Sequence, residues 1–158
     1  MDKFELMEMQ APLPHATDLK LQFGAVLAEF GALVEQDVDM DESGIATFAV
    51  DDDIIVNVQY LEESATVVAF APVGAFGGKD APGAGEKAME LLRLCALGGP
   101  SCEFTLALDA NADLVLAMDR RLALELASAD AFAAWIDALV RAVRAVRERF
   151  AERFPEED

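Results

Sequence analysis

Histidine is almost missing from this chain: His15 is the only one among 158 residues. It stands beside Pro12 and Pro14, which break any helix there. No Ser–His or Cys–His pair can form on an ordered element, so nucleophilic catalysis of that kind has nothing to work with. Cysteine is nearly as scarce. Cys95 and Cys102 fit no metal-binding or redox spacing and read as buried free thiols. Basic residues are outnumbered, 12 Lys and Arg against 30 Asp and Glu, and the formal net charge is −18. Nucleic acids and anionic membranes both attract a basic face, so neither is an expected partner. No apolar run reaches the ~20 residues a bilayer crossing needs. The opening MDKFELMEMQ lacks the basic-then-apolar layout of a secretory signal, so the expected location is the cytosol.

What is present is apolar and acidic together. Hydrophobic residues make up 54% of the chain, too many for a disordered acidic tail. The length suits one domain with a substantial core and no need of a staple. The boundaries expected are a loose leader over 1–17, one domain over 18–154 and a short acidic tail over 155–158.

The most informative stretch is Gly44–Pro72. Three runs rich in β-branched and aromatic residues are cut by Asp51–Asp53 and Glu62–Ser64, which predicts an antiparallel meander. In the middle run Ile54, Val56, Val58 and Tyr60 point one way, and Ile55, Asn57 and Gln59 the other. The outer runs alternate less cleanly, with Phe48, Val68 and Phe70 facing apolar neighbours across the strand. A sheet with one wetted face shows polar residues at every second position, so something is expected against both faces here.

Around the meander stand helical patterns. Thr17 or Asp18 can cap a helix from Leu19, with Phe23, Val26, Leu27, Phe30, Leu33 and Val34 in its apolar stripe. Gly24 and Gly31 thin the neighbouring strip, as incidental core glycines or as a groove for a partner. Glu86–Leu97 predicts a short helix stopped by Gly98, Gly99 and Pro100. It is apolar around much of its girth, which asks for a second neighbour. Cys102–Leu108 and Leu114–Met118 predict a second hairpin over Asp109–Asp113. Ser128 caps a last helix, with Phe132, Trp135, Ile136, Leu139, Val140, Val143, Val146, Phe150 and Phe154 in line. Arg141, Arg144, Arg147, Arg149 and Arg153 lie off that line, suited to the helix dipole and to nearby carboxylates.

The sequences that invite chemistry do not support it. Asp37, Asp39 and Asp41 match the opening of an EF-hand loop, but Glu42 and Phe48 hold the places that need Gly and Glu. They read as a solvated turn. The Gly74–Gly85 stretch fails as a phosphate loop: three residues separate Gly74 from Gly78, and Asp80 follows Lys79. It reads as a flexible connection. Arg120 and Arg121 read as exposed ion-pair partners. The many carboxylates lie in turns or on polar faces, without the desolvation an acid–base pair requires. No cofactor or metal is expected.

The order helix, three strands, helix, two strands, helix resembles the class I effector chaperones of bacterial type III secretion, the Tir-chaperone (SycE-like) family. The likeness runs from Asp18 to Phe154. It is carried by Leu27–Gly31 (LAEFG), Val50–Val58 (VDDDIIVNV), Ala71–Gly74 (APVG), Leu106–Leu116 (LALDANADLVL) and Phe132–Val143. The resemblance implies an α+β fold with a twisted antiparallel sheet flanked by helices. It also implies a homodimer without catalytic activity, in the bacterial cytosol, that holds the extended N-terminal segment of a secreted effector. By the family's architecture the first and last helices cover one sheet face. The second helix and second hairpin form the two-fold interface, here Ala88, Leu91, Leu92, Cys95, Leu106 and Leu108. The effector is expected against Phe23, Leu27, Phe30, Phe48, Val68 and Phe70. A non-catalytic α+β module with a different client remains the other reading.

Overall fold

Alternation in the middle run decides the sheet. Ile54, Val56, Val58 and Tyr60 are buried, and Ile55, Asn57 and Gln59 leave by the opposite face, as successive side chains of a strand must. The computed structural model describes residues 16–96, 99 and 103–155. Helix α1 (Ala16–Val34) leads into strands β1 (Ile45–Val50), β2 (Ile54–Leu61) and β3 (Thr66–Ala75). Helix α2 (Ala84–Leu94), strands β4 (Thr105–Asp109) and β5 (Leu114–Leu122), a 3-10 turn (Ala123–Leu126) and helix α3 (Ala129–Arg153) follow. This is the α+β order expected. The strands form one antiparallel sheet in the order β1-β2-β3-β5-β4, so the second hairpin joins the meander through β5.

Helices α1 and α3 pack over one face of this sheet. Phe132 of α3 is the centre of the contact, with ring centroids 5.7 Å from Phe23, 4.9 Å from Phe30 and 6.2 Å from Phe48. Val67, Ala69 and Ala71 of β3 and Val115 and Ala117 of β5 complete the floor. Ser128 caps α3, its Oγ accepting from Ala131 N at 3.1 Å. The stripe from Phe132 to Val146 is buried as its spacing requires.

Several boundaries differ from the sequence reading. Helix α1 already runs at Ala16, which places Thr17 and Asp18 inside its first turn instead of at its cap. Leu33 and Val34 are 64% and 39% exposed, so the inward stripe ends at Phe30. Gly31 is required by the chain itself. A Cβ there would stand 2.5 Å from Gln36 O and 3.1 Å from Val38 N, because the following loop crosses the helix at that point. Strand β5 continues through Arg120 and Arg121, where β3 supplies a partner as far as Leu122. Helix α2 starts at Ala84, after Gly83 in the left-handed region, and ends at Leu94. The leader as far as residue 15, Gly98, Pro100, Cys102 and residues 156–158 lie outside the described residues.

The acidic turns have structural uses. Asp51 and Asp52 take positive φ in the β1–β2 turn, a conformation Asp tolerates better than most residues. Arg144 clamps Asp51 at 2.8 Å and Asp53 at 3.2 Å. Asp41 Oδ1 accepts from Ser43 N and Ile45 N at 2.8 and 3.0 Å. The glycine-rich connection is pinned where it begins: Asp113 accepts from Gly77 N at 3.1 Å and Gly78 N at 2.8 Å.

Candidate binding surface

The sheet has a second face, and its residues follow from the register. Thr47, Asn57, Phe70, Met118 and Thr105 stand in one row across all five strands. Beside that row, Val68 lies between Gln59 and Arg120, and Pro72 lies opposite Leu116. Val68, Phe70, Leu116 and Met118 are only partly buried. Ile55 is 46% exposed. Among the described residues, the expectation that both faces are covered therefore holds for one face, and the other stays open.

The character of the open face sets it apart. Asp109, at the end of β4, is the one carboxylate among the strand residues that point this way, although the chain carries 30 acidic residues. Asp119, by contrast, points to the helix side, where it accepts from Trp135 Nε1 at 2.9 Å and Arg121 Nε at 3.1 Å. Thr47 Oγ1 donates to Asn57 Oδ1 at 2.8 Å. The face is thus apolar at its centre on β3 and β5 and neutral-polar towards β1. Such a surface takes an apolar polypeptide segment without placing carboxylates in a desolvated interface.

The residues expected to meet a partner divide into three groups. Phe23, Leu27, Phe30 and Phe48 are at most 5% exposed, enclosed between α1, α3 and the sheet. As placed, they are core residues, because aromatic side chains at helical spacing facing a sheet bury their area first. Val68 and Phe70 lie on the open face and remain accessible in part. The third group lies on α2, the residue that follows it and β4, which meet where Cys95 Sγ accepts from Leu106 N at 3.3 Å. Within it Leu91 is 9% exposed and already packed on its own chain, whereas Leu92 is 69% and Leu108 41% exposed. Ala88 is exposed, and Cys95 and Leu106 are partly buried.

Sequence reasoning placed Ile55 on this face but did not join Leu116 and Met118 to it, and it missed Met89, 61% exposed on α2. Pairing by register would have joined Leu116 and Met118 to that face only with the β3–β5 partnership known, and that pairing is non-local.

A cavity of about 450 Å³ opens between Phe76, Leu91, Val115, Val146, Phe150 and Phe154, with Lys87 and Arg147 at its rim. Both cations are engaged by main-chain carbonyls: Lys87 Nζ by Phe76 O at 3.0 Å and Arg147 Nε by Val73 O at 2.6 Å. The Arg144 guanidinium is held above its ordinary pKa, first by its hydrogen bond to Asp53. Burial, with Glu62 nearby, pushes the Tyr60 phenol up. Both groups keep their protons at neutral pH and serve structure.

The model of the Tir chaperone protein (CesT) family matches residues 25–147. No curated protein matches the chain. Among solved structures, a chain of the HopA1-SchA chaperone-effector complex aligns at TM-score 0.64, with 19% identity over 82% of this chain and 95% of that one. A chain of the ExsC-ExsE complex gives TM-score 0.62 and 20% identity over 86% and 95%. A chain from the Yersinia pestis type III secretion chaperone SycH in complex with a stable fragment of YscM2 gives 0.56 and 21% over 78% and 97%. At these identities the structures speak for the fold, and the family model covers well over half of the sequence. This chain belongs to the Tir chaperone protein (CesT) family.

Proposed function

We propose that this chain is a type III secretion chaperone. It binds the N-terminal, chaperone-binding segment of an effector, keeps that segment soluble and only partly folded, and supports its delivery to the secretion apparatus. The observation that carries this reading is the open sheet face, apolar at its centre and nearly free of carboxylates in a strongly acidic chain. Family membership points the same way, and so do the structural relatives, among them a chaperone-effector complex and a type III secretion chaperone held with a fragment of another protein. The work is binding, without catalysis. Among the described residues no helix is long and apolar enough to cross a membrane, and the reading places the chaperone in the bacterial cytosol.

The working unit is a homodimer built on α2 and β4, where Leu92, Met89 and Leu108 are each exposed. A two-fold interface is self-complementary, and an apolar helix beside a sheet edge suits that. Obligate interfaces bury about 2,000 Å² or more, enough to remove these side chains from water. Effector strands and helices then occupy the remaining apolar surface.

The test is co-expression with the product of a neighbouring reading frame that carries a candidate secreted client. The expected result is a soluble complex in which the client's N-terminal segment is protected from protease only when the chaperone is present. Phe70→Asp should abolish capture and leave the chaperone folded. Equal capture by that variant, or a client that stays soluble and unbound, overturns the proposal.

A further inference from the structure

Among the described residues strand β1 ends the sheet, and one of its sides has no neighbouring strand. A free edge is a template for pairing with another chain. In β1 the outward-facing backbone groups belong to Ile45, Thr47 and Ala49, since Ala46, Phe48 and Val50 turn theirs towards β2. Two of these three residues are already paired, and by unusual partners. Gln36 Nε2 donates to Ala49 O at 2.8 Å, and Ala49 N donates to Gln36 Oε1 at 3.1 Å. Asp41 N donates to Ile45 O at 2.8 Å, and Ile45 N donates to Asp41 Oδ1 at 3.0 Å. Among the described residues, Thr47 alone of the three keeps an outward N–H and C=O without an intrachain bond.

We propose that Gln36 guards the β1 edge, its side-chain amide filling the place a neighbouring strand's peptide would take, so that β1 does not pair with β1 of another copy. Glutamine suits this position because its amide carries a donor and an acceptor in one plane, as a peptide does. Its own backbone is fixed by Gln36 N donating to Gly31 O at 2.9 Å. That close crossing is why residue 31 has no room for a Cβ. With Ile45 and Ala49 occupied, an incoming strand gains bonds only at Thr47. One residue's worth of pairing does not offset the entropy of ordering an added strand.

The proposal concerns the chain alone and is independent of any client. Amide hydrogen exchange and light scattering on purified full-length protein test it. In Gln36→Ala the Ala49 amide should exchange about tenfold faster, and assemblies larger than those of the unsubstituted chain should appear as concentration rises. Gln36→Glu retains the acceptor for Ala49 N–H and loses the donor to its carbonyl, so Ala49 should stay protected while the edge partly opens. Adding Thr47→Pro to Gln36→Ala removes the remaining outward N–H and should restore the original size. Unchanged Ala49 exchange in Gln36→Ala overturns the proposal. So does faster exchange without larger assemblies, or assembly that persists with Thr47→Pro.

Discussion

Arg147 of α3 donates from Nε to the carbonyl of Val73 across 2.6 Å, at the point where β3 changes register between Pro72 and Gly74. The same guanidinium reaches Pro72 O at 3.3 Å and Asp53 O at 3.2 Å. It therefore holds two carbonyls at the irregularity and one in the β1–β2 turn. Arg147→Ala leaves these acceptors unpaired and should cost about 1–3 kcal/mol in urea denaturation. Arg144→Ala, which removes only ion pairs to exposed Asp51 and Asp53, should cost less than Arg147→Ala does, because solvent screens such pairs. Arg147→Lys should not restore stability, because an ammonium lacks the planar fork.

Phe132 and Phe70 are both aromatic residues facing the same sheet, from opposite sides. Phe132 is fully buried among Phe23, Phe30, Phe48 and Trp135. Phe132→Ala should therefore lower stability by about 3–5 kcal/mol. Phe70→Ala lies on the open face and should cost less than about 1.5 kcal/mol in the chain alone, with its main effect on client capture. Thermal melts and co-purification separate the two. Equal losses of stability would show that the second face is already covered.

The dimer is tested by substitution on α2. Leu92→Glu places a charge on a 69% exposed position, so it should halve the mass seen by light scattering and leave the circular dichroism spectrum intact. Leu91→Glu is a poorer probe, because Leu91 packs on its own chain and a buried carboxylate disturbs the fold as well. A mass near 17.0 kDa for the unsubstituted protein at micromolar concentration would remove the dimer.

Tyr60 gives a pH prediction. Its phenol is raised above 10.0, chiefly by burial, then by Glu62, with Lys20 acting in the opposite sense. The unfolded chain therefore ionises first as pH climbs. The folded state holds more protons there, and stability falls with rising pH above about 10. Below that value the phenol is protonated in both states and contributes no slope. Tyr60→Phe should flatten the decline above about pH 10 in equilibrium unfolding; an unchanged slope would clear Tyr60 of it.

The element order was readable because hydrophobic periods of 2 and 3.6 are local properties of a chain. Ile54–Tyr60 and Phe132–Val146 declared both their structure and their inward faces. The pairing of β3 with β5 was not readable, since it joins residues about fifty positions apart with no turn to announce it. For that reason Val68 and Phe70 could be named as partner contacts while Leu116 and Met118 beside them were missed. Phe23, Leu27, Phe30 and Phe48 show the converse difficulty. Periodicity shows that a face is apolar, but not whether the same chain or another covers it. Asp113 was read only as part of a turn, although its carboxylate orders a glycine-rich segment more than thirty residues away.

The single Trp135 is 5% exposed and tied through its indole nitrogen to Asp119, on the helix side of the sheet. Its fluorescence is thus an internal gauge of the core, screened by a layer of strands from whatever settles beyond. Unfolding should shift the emission, whereas a guest on the far side should leave it nearly silent. One spectrum can then tell a chaperone that has lost its fold from one that has lost only its grip.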